Sequence, residues 1–359
     1  MSVVKIFILT VLAFVGAFWW APILARSLHK WQLWKKQARK YTPDGRVLET
    51  FKKIEKDDKV FTPRGGGLLI WVTILVLALV IALFNRLFDG LFFNLNFLSR
   101  AETWLPLFTL VAAGIIGLFD DLLTTRLSGG KYLGGGMSLG RRIIIVLIIG
   151  LIGAWWFHFK LGWDTIHIPF FGDFYINGFY IPLFAITMVA VFSSGVIDGI
   201  DGLSGGVFAP IFVTFGVIAF MRGQVNLAAF CAMIAGTLAV FLWFNAPPAR
   251  FYIGETGILP LTTVLTIIAF LTNTVLLLPL AGIMLVLTTL SDIIQIAYRQ
   301  YGLRRGWPQE KRQFFIAAPL HHNFQFKGIK NETIVMRYWI ITAIACVTTL
   351  MIYLLDKGM

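Results

Sequence analysis

Residues 66–85 read GGLLIWVTILVLALVIALFN. Twenty positions pass without one charged side chain, and about 20 apolar residues are what an α-helix needs to cross a bilayer core of ~30 Å. The stretch is no exception in this chain. Of 359 residues, 58% are hydrophobic and only 14% charged, against about 25% charged in soluble domains. Working outward, similar runs lie near 4–25, 103–119, 142–159, 179–196, 204–221, 225–244, 257–272, 275–298 and 334–355. The reading is an all-α integral membrane protein of about ten transmembrane helices, with residues 1–359 forming one membrane domain. The run from Val4 to Leu24 has a single lysine, Lys5, at its start and no small-residue cleavage site after it, so it reads as a retained span rather than a signal peptide.

The net charge of +13 could suggest nucleic acid, but its placement gives another cause. With both termini outside, in the periplasm, the inner loops become 26–65, 120–142, 197–203, 245–256 and 299–333. All but six of the 31 lysines and arginines (Lys5, Arg86, Arg100, Lys160, Arg222 and Lys357) fall in or beside those loops. That is the positive-inside pattern of a multi-pass protein, and the expected location is the bacterial inner membrane. No nucleic-acid partner is expected. Cys231 and Cys346 both sit in apolar runs and form no disulfide framework or zinc spacing.

The unusual polar residues gather on the same inner face. Asp120 and Asp121 close the third span in GLFDD; Asp198 and Asp201 close the fifth in IDGIDGLSGG. Asn245 and Glu255 bracket NAPPARFYIGETG, and His321 and His322 stand in APLHHNFQFKG. Each has a plainer reading: a solvated helix end, a flexible glycine turn, surface histidines. Yet two carboxylates at a helix C-terminus oppose the dipole there and call for a cation, and Mg²⁺ commonly uses one or two carboxylates with substrate phosphates. Asp198 and Asp201, three apart, could share a helical face. Lys59, Arg64, Arg126, Arg141 and Arg142 could meet phosphates. Tyr252 could stack on a nucleobase or anchor at the interface. Carboxylates, a metal, histidines and cations beside a lipid phase imply phosphoryl transfer by positioning and charge neutralisation. A transporter is the rival class. It would place ionisable groups near the midplane, where only Asp292 is expected.

In chain order, TPRGGGLLI (62–70), GLFDD (117–121), GMSLGRR (136–142), IDGIDGL (197–203), FLWFNAPPARFYIGETG (241–257), TTLSDIIQ (288–295) and APLHHNFQFKG (318–328) resemble the blocks of the polyprenyl-phosphate N-acetylhexosamine-1-phosphate transferase superfamily. The resemblance covers nearly the whole chain. TPRGGG and IDGIDGLSGG lean toward the branch that takes UDP-GlcNAc. TTLSDIIQ and the tail from PLHH to ETIVMRYWII (332–341) lean toward the branch that takes UDP-MurNAc-pentapeptide, and the tail is given more weight.

The resemblance implies transfer of a sugar-1-phosphate to undecaprenyl phosphate with Mg²⁺ as cofactor, membrane lipids as surroundings and a homodimer as a further partner state. It implies Asp120, Asp121, Glu255, His321 and His322 as catalytic, with Glu255 and Asp121 nearest the metal and Asp120 nearest the attacking phosphate. It implies Lys59, Asp198, Asp201, Asn245, Tyr252 and Arg142 as substrate-binding. The chain also departs from the pattern. Gly195 stands for an asparagine, Glu255 for an aspartate, Ile258 for a serine, Asn323 for a third histidine, Thr124 for a lysine and Thr288 for a glutamate, with Asp292 one turn beyond Thr288.

Overall fold

The computed structural model describes residues 2–34, 62–87, 95–99, 102–126 and 136–358. Lys59 lies outside the described residues. The helices are α1 Ser2–Lys30, α2 Leu68–Leu87, α3 Trp104–Arg126, α4 Leu139–Trp155, α5 Tyr180–Ser193, α6 Leu203–Met221, α7 Val225–Asn245, α8 Glu255–Leu271, α9 Leu278–Ala281, α10 Ile283–Arg304, α11 Leu320–Phe326 and α12 Asn331–Asp356. Eight helical stretches among the described residues are long and apolar enough to cross a membrane. The bent α9–α10 segment makes a ninth candidate, one short of the ten expected, and the 17-residue α8 is apolar but shorter than these spans.

Three features differ from the sequence reading. α3 does not stop at the aspartate pair but runs on to Arg126. The Thr124 and Thr125 hydroxyls donate back to the carbonyls of Asp120 and Asp121, so the carboxylates project from within the helix and not from its C-terminus. The ninth crossing is not one rod, because 275–281 and α10 meet at 81°, with Gly282 between them. Beyond α4, a π-turn at Trp156–Lys160 leads into an antiparallel hairpin, β1 Thr165–Ile168 and β2 Gly172–Tyr175. No strand was expected there.

α8 is the axis of the fold. Every residue in it after Glu255 is buried, because α2, α3 and α5 close around it. Glycine permits this approach at one decisive crossing. A Cβ at Gly117 of α3 would stand 2.1 Å from the Glu255 carbonyl oxygen, so only glycine lets α3 bring its aspartates against the start of α8. The TPRGGG and FYIGETG blocks lock beside them as a short ladder. The Tyr252 amide donates to the Pro63 carbonyl at 2.8 Å, Gly66 N to the Tyr252 carbonyl at 2.8 Å and Gly67 N to the Ile253 carbonyl at 3.0 Å.

Candidate active site

Four carboxylates and two arginines converge where α3, α8 and the 198–202 loop meet. Asp121 is buried. Its Oδ2 accepts from the Thr256 amide at 2.9 Å and from the Thr256 hydroxyl at 2.7 Å, and its Oδ1 faces the Arg64 guanidinium at 3.8 Å. An aspartate at this N-terminus suits both the unpaired amides and the dipole of α8. Asp120, also buried, accepts from the Met137 amide through Oδ1 at 2.5 Å. Its Oδ2 lies 2.7 Å from one Arg142 nitrogen. The other Arg142 terminal nitrogen pairs with Glu255 Oε1. Arg142 therefore bridges one carboxylate from α3 and one from α8.

Asp198 completes the group from the third side, within electrostatic reach of Asp121 and Arg64. It accepts from the Ser204 hydroxyl at 3.2 Å. Burial raises its pKa above the ordinary carboxylate range, with Arg64 opposing. The expected shared helical face of Asp198 and Asp201 is not what forms. Residues 198–202 are a loop between the 3₁₀ turn Ser194–Ile197 and α6, so the two side chains part. Asp201 Oδ2 accepts from the Ala249 amide at 2.9 Å. Asn245 works alongside it, accepting from the Gly202 amide at 2.8 Å and donating to the Phe251 carbonyl at 2.9 Å. Asp201 and Asn245 thus pin the IDGIDG loop to the APPARFYIG loop.

His321 is not a surface histidine. It is fully buried, and neither ring nitrogen has a hydrogen-bond partner. It packs on Gly199, where a Cβ would come within 2.3 Å of Nε2. Burial, aided by His322, holds its pKa well below the usual histidine range, so the ring is neutral. His322 bonds Gln325 through Nδ1 at 2.6 Å. Tyr252 is half-buried beside Pro63. Sequence reasoning missed Thr256, the amide of Met137 and Ser204. These are ordinary polar groups whose importance comes only from the carboxylate each one holds.

The centre suits the Mg²⁺ that the resemblance implies. Asp121 Oδ1 and Asp120 Oδ2 are buried without a hydrogen bond and have only ion-pair neighbours. The donors are all carboxylate oxygens, a hard set. Among the described residues no group of three or more His, Cys, Asp or Glu forms a ready cage. Mg²⁺ does not require one, since it takes one or two carboxylates and completes its shell with phosphate and water.

A helical membrane bundle that collects carboxylates and arginines at one end offers the charged groups that handling of phosphorylated substrates requires. The model for glycosyl transferase family 4 matches residues 103–273. Phospho-N-acetylmuramoyl-pentapeptide-transferase of Bartonella quintana (strain Toulouse) is 31% identical over 306 residues, covering 80% of this chain and 78% of the relative. The protein of that name from Clostridium perfringens (strain SM101 / Type A) is 30% identical over 345 residues, covering 95% of each. Its counterpart in Chloroflexus aurantiacus (strain ATCC 29366 / DSM 635 / J-10-fl) is 29% identical over 343 residues, covering 93% of this chain and 84% of the relative. The chain belongs to the phospho-N-acetylmuramoyl-pentapeptide-transferase family.

Proposed function

We propose that this protein transfers phospho-MurNAc-pentapeptide from UDP-MurNAc-pentapeptide to undecaprenyl phosphate, leaving UMP and lipid I, at the cytoplasmic face of the bacterial inner membrane. The observation that carries the reading is the Arg142 bridge between Asp120 and Glu255, beside Asp121, Asp198 and Arg64. Four carboxylates against two guanidinium groups leave surplus negative charge, and surplus acidic oxygen beside a membrane suits a cation-assisted diphosphate reaction. Asp121, Asp120 and Glu255 would hold Mg²⁺, which supplies charge neutralisation to the diphosphate when bound.

The chain's own groups do the rest. The lipid phosphate attacks the β-phosphorus of the nucleotide sugar, and UMP leaves. A phosphate monoester has its second pKa near ~6, so the attacking oxygen is already ionised at neutral pH and needs no strong base. Asp120 lies nearest that oxygen and orients it. Arg142 and Arg64 are placed to turn from their carboxylates onto the phosphates as negative charge develops. Asp198 and Tyr252 take the uridine, and neutral His321 offers a ring nitrogen beside the 198–202 loop.

UDP-GlcNAc as donor is the second reading, favoured by TPRGGG and IDGIDGLSGG. A panel of radiolabelled UDP-sugars with undecaprenyl phosphate separates the two. UMP release with the pentapeptide donor, abolished by EDTA and restored by Mg²⁺, is the expected result. Release with UDP-GlcNAc alone would move the chain to the other branch. Solute uptake into liposomes without UMP release would return it to the transporters.

A further inference from the structure

At the opposite end of the bundle stands an aromatic structure that phosphoryl transfer does not use. α4 begins beside Arg142 and, with its π-turn, crosses to Lys160; the next crossing begins at Asn177. The hairpin β1–β2 fills the interval. It is held by its polar groups. The His167 ring bonds Asp173 Oδ1 and Asp356 Oδ2 at 2.7 Å each. Its amide donates to Asn273 Oδ1 at 3.1 Å, and the Ile176 amide donates to the Asp164 carbonyl at 2.8 Å.

The tip is strained. Phe170 has φ +68°, a left-handed conformation that a bulky side chain rarely adopts. Its amide donates to Asp356 Oδ1 at 2.6 Å, which holds the strain in place. The result is display of aromatic rings. Phe171 is 77% and Phe179 79% exposed, with Phe170 and Phe174 also outside. The strand register puts Ile166 opposite Phe174 and His167 opposite Asp173. Alternation along a strand then gives the hairpin one apolar and one polar face.

We propose that this hairpin is a membrane-interface wedge, with Phe170, Phe171, Phe174 and Phe179 seated in the headgroup–acyl boundary of the leaflet away from Asp120 and Glu255. Three observations commit the tip to lipid. Both of its flanking crossings end within a few residues of it, so it stands at the depth of the boundary. Its rings continue an aromatic belt on α4 and its π-turn, where Trp155, Trp156 and Phe159 are exposed; such belts mark the interface. Lys160 Nζ sits over the Trp155 ring at 5.6 Å from the centroid, so its charge is held at the same level while its stem lies on apolar surface.

The test uses a nitroxide on Phe171→Cys and on Lys357→Cys, which is next to Asp356 on the same side. The native Cys231 and Cys346 are buried and unpaired, so the introduced thiol is the one labelled. In nanodiscs of phosphatidylethanolamine and phosphatidylglycerol, the label at 171 should collide freely with oxygen and be severalfold less accessible to a water-soluble nickel chelate than the label at 357. Equal nickel accessibility at the two sites would overturn the wedge. Dipolar broadening between labels at 171 would overturn it too, by showing a second copy on the tip. Phe179→Cys supplies an independent site if the hairpin variant does not fold. No arm depends on UMP release, so failure here leaves the transferase reading untouched.

Discussion

A Cβ built on Gly195 would stand 2.4 Å from Cγ2 of Ile258. The resemblance calls for asparagine at the first position and serine at the second. The two departures therefore face each other, and one explains the other: the isoleucine fills the space that a side chain at 195 would need. Gly195→Ala should cost about 1–3 kcal/mol as an overpacking change, and Ile258→Ala about 2–5 kcal/mol as a cavity. The double variant should be more stable than the sum of the two losses by about 0.5–3 kcal/mol. Denaturation of the detergent-solubilised protein measures this cycle, and strict additivity would deny the coupling.

Arg142 spans Asp120 and Glu255 because its guanidinium presents two terminal nitrogens in a fixed fork. A lysine is a single point charge and cannot hold both. Arg142→Lys should lower turnover by about 10²–10³, the scale for losing one preorganised charge-stabilising donor. Glu255→Gln should be more damaging than Glu255→Asp, which keeps the charge but draws it back from Arg142. Steady-state UMP release ranks the three, and wild-type turnover in Arg142→Lys would remove the bridge from the mechanism.

Thr256 donates to Asp121 through both its amide and its hydroxyl. Removing the hydroxyl leaves a buried carboxylate oxygen short of a donor. Thr256→Val should lose about 1–3 kcal/mol of stability and about tenfold in turnover, since tenfold corresponds to ~1.4 kcal/mol at the transition state. Thr256→Ser keeps the donor and should restore both. A valine variant with normal kcat would mean that Asp121 needs no such orientation.

Asp198 and His321 set opposed pH dependences. Burial raises Asp198 above the ordinary carboxylate value of 3.8, so its charge opposes folding at neutral pH. Asp198→Asn should raise the melting temperature while reducing transfer. His321 is held well below the ordinary 6.5. Its folded-state pKa is the depressed one, so at lower pH the unfolded chain takes a proton that the buried ring refuses. Stability should therefore fall as pH drops below about 6.5, less steeply in His321→Gln. Parallel melting profiles for wild type and His321→Gln between pH 7 and 5 would contradict the assignment.

Much of this was legible in the chain. The apolar runs are long, and the bilayer imposes one strong requirement on them, that backbone groups be satisfied within a helix. The helical membrane architecture followed from that, and the motifs at the helix ends pointed to the clustering of Asp120, Asp121, Asp198 and Glu255. The extension of α3 to Arg126 did not, because the two hydroxyl back-bonds that continue it look like ordinary threonines in sequence. Asp198 and Asp201 misled because spacing of three implies a shared face only inside a helix, and Gly199 and Gly202 break it. That the Asn245 amide ties two loops together is something spacing alone cannot disclose. The bend at Gly282 was hidden because hydropathy records length and apolarity but not direction.

The burial of α8 bears on what holds Glu255 in place. This helix has only 17 residues and carries Thr256, Thr262, Thr263 and Thr266, all buried among its neighbours. In the finished protein this helix meets almost no lipid, since every residue after Glu255 is buried among its neighbours. Its place in the bundle therefore rests on packing against α3 and α5 rather than on contact with lipid. Since Glu255 rides at its head, its pairing with Arg142 depends on how closely α3 and α8 approach, and that approach is set by Gly117.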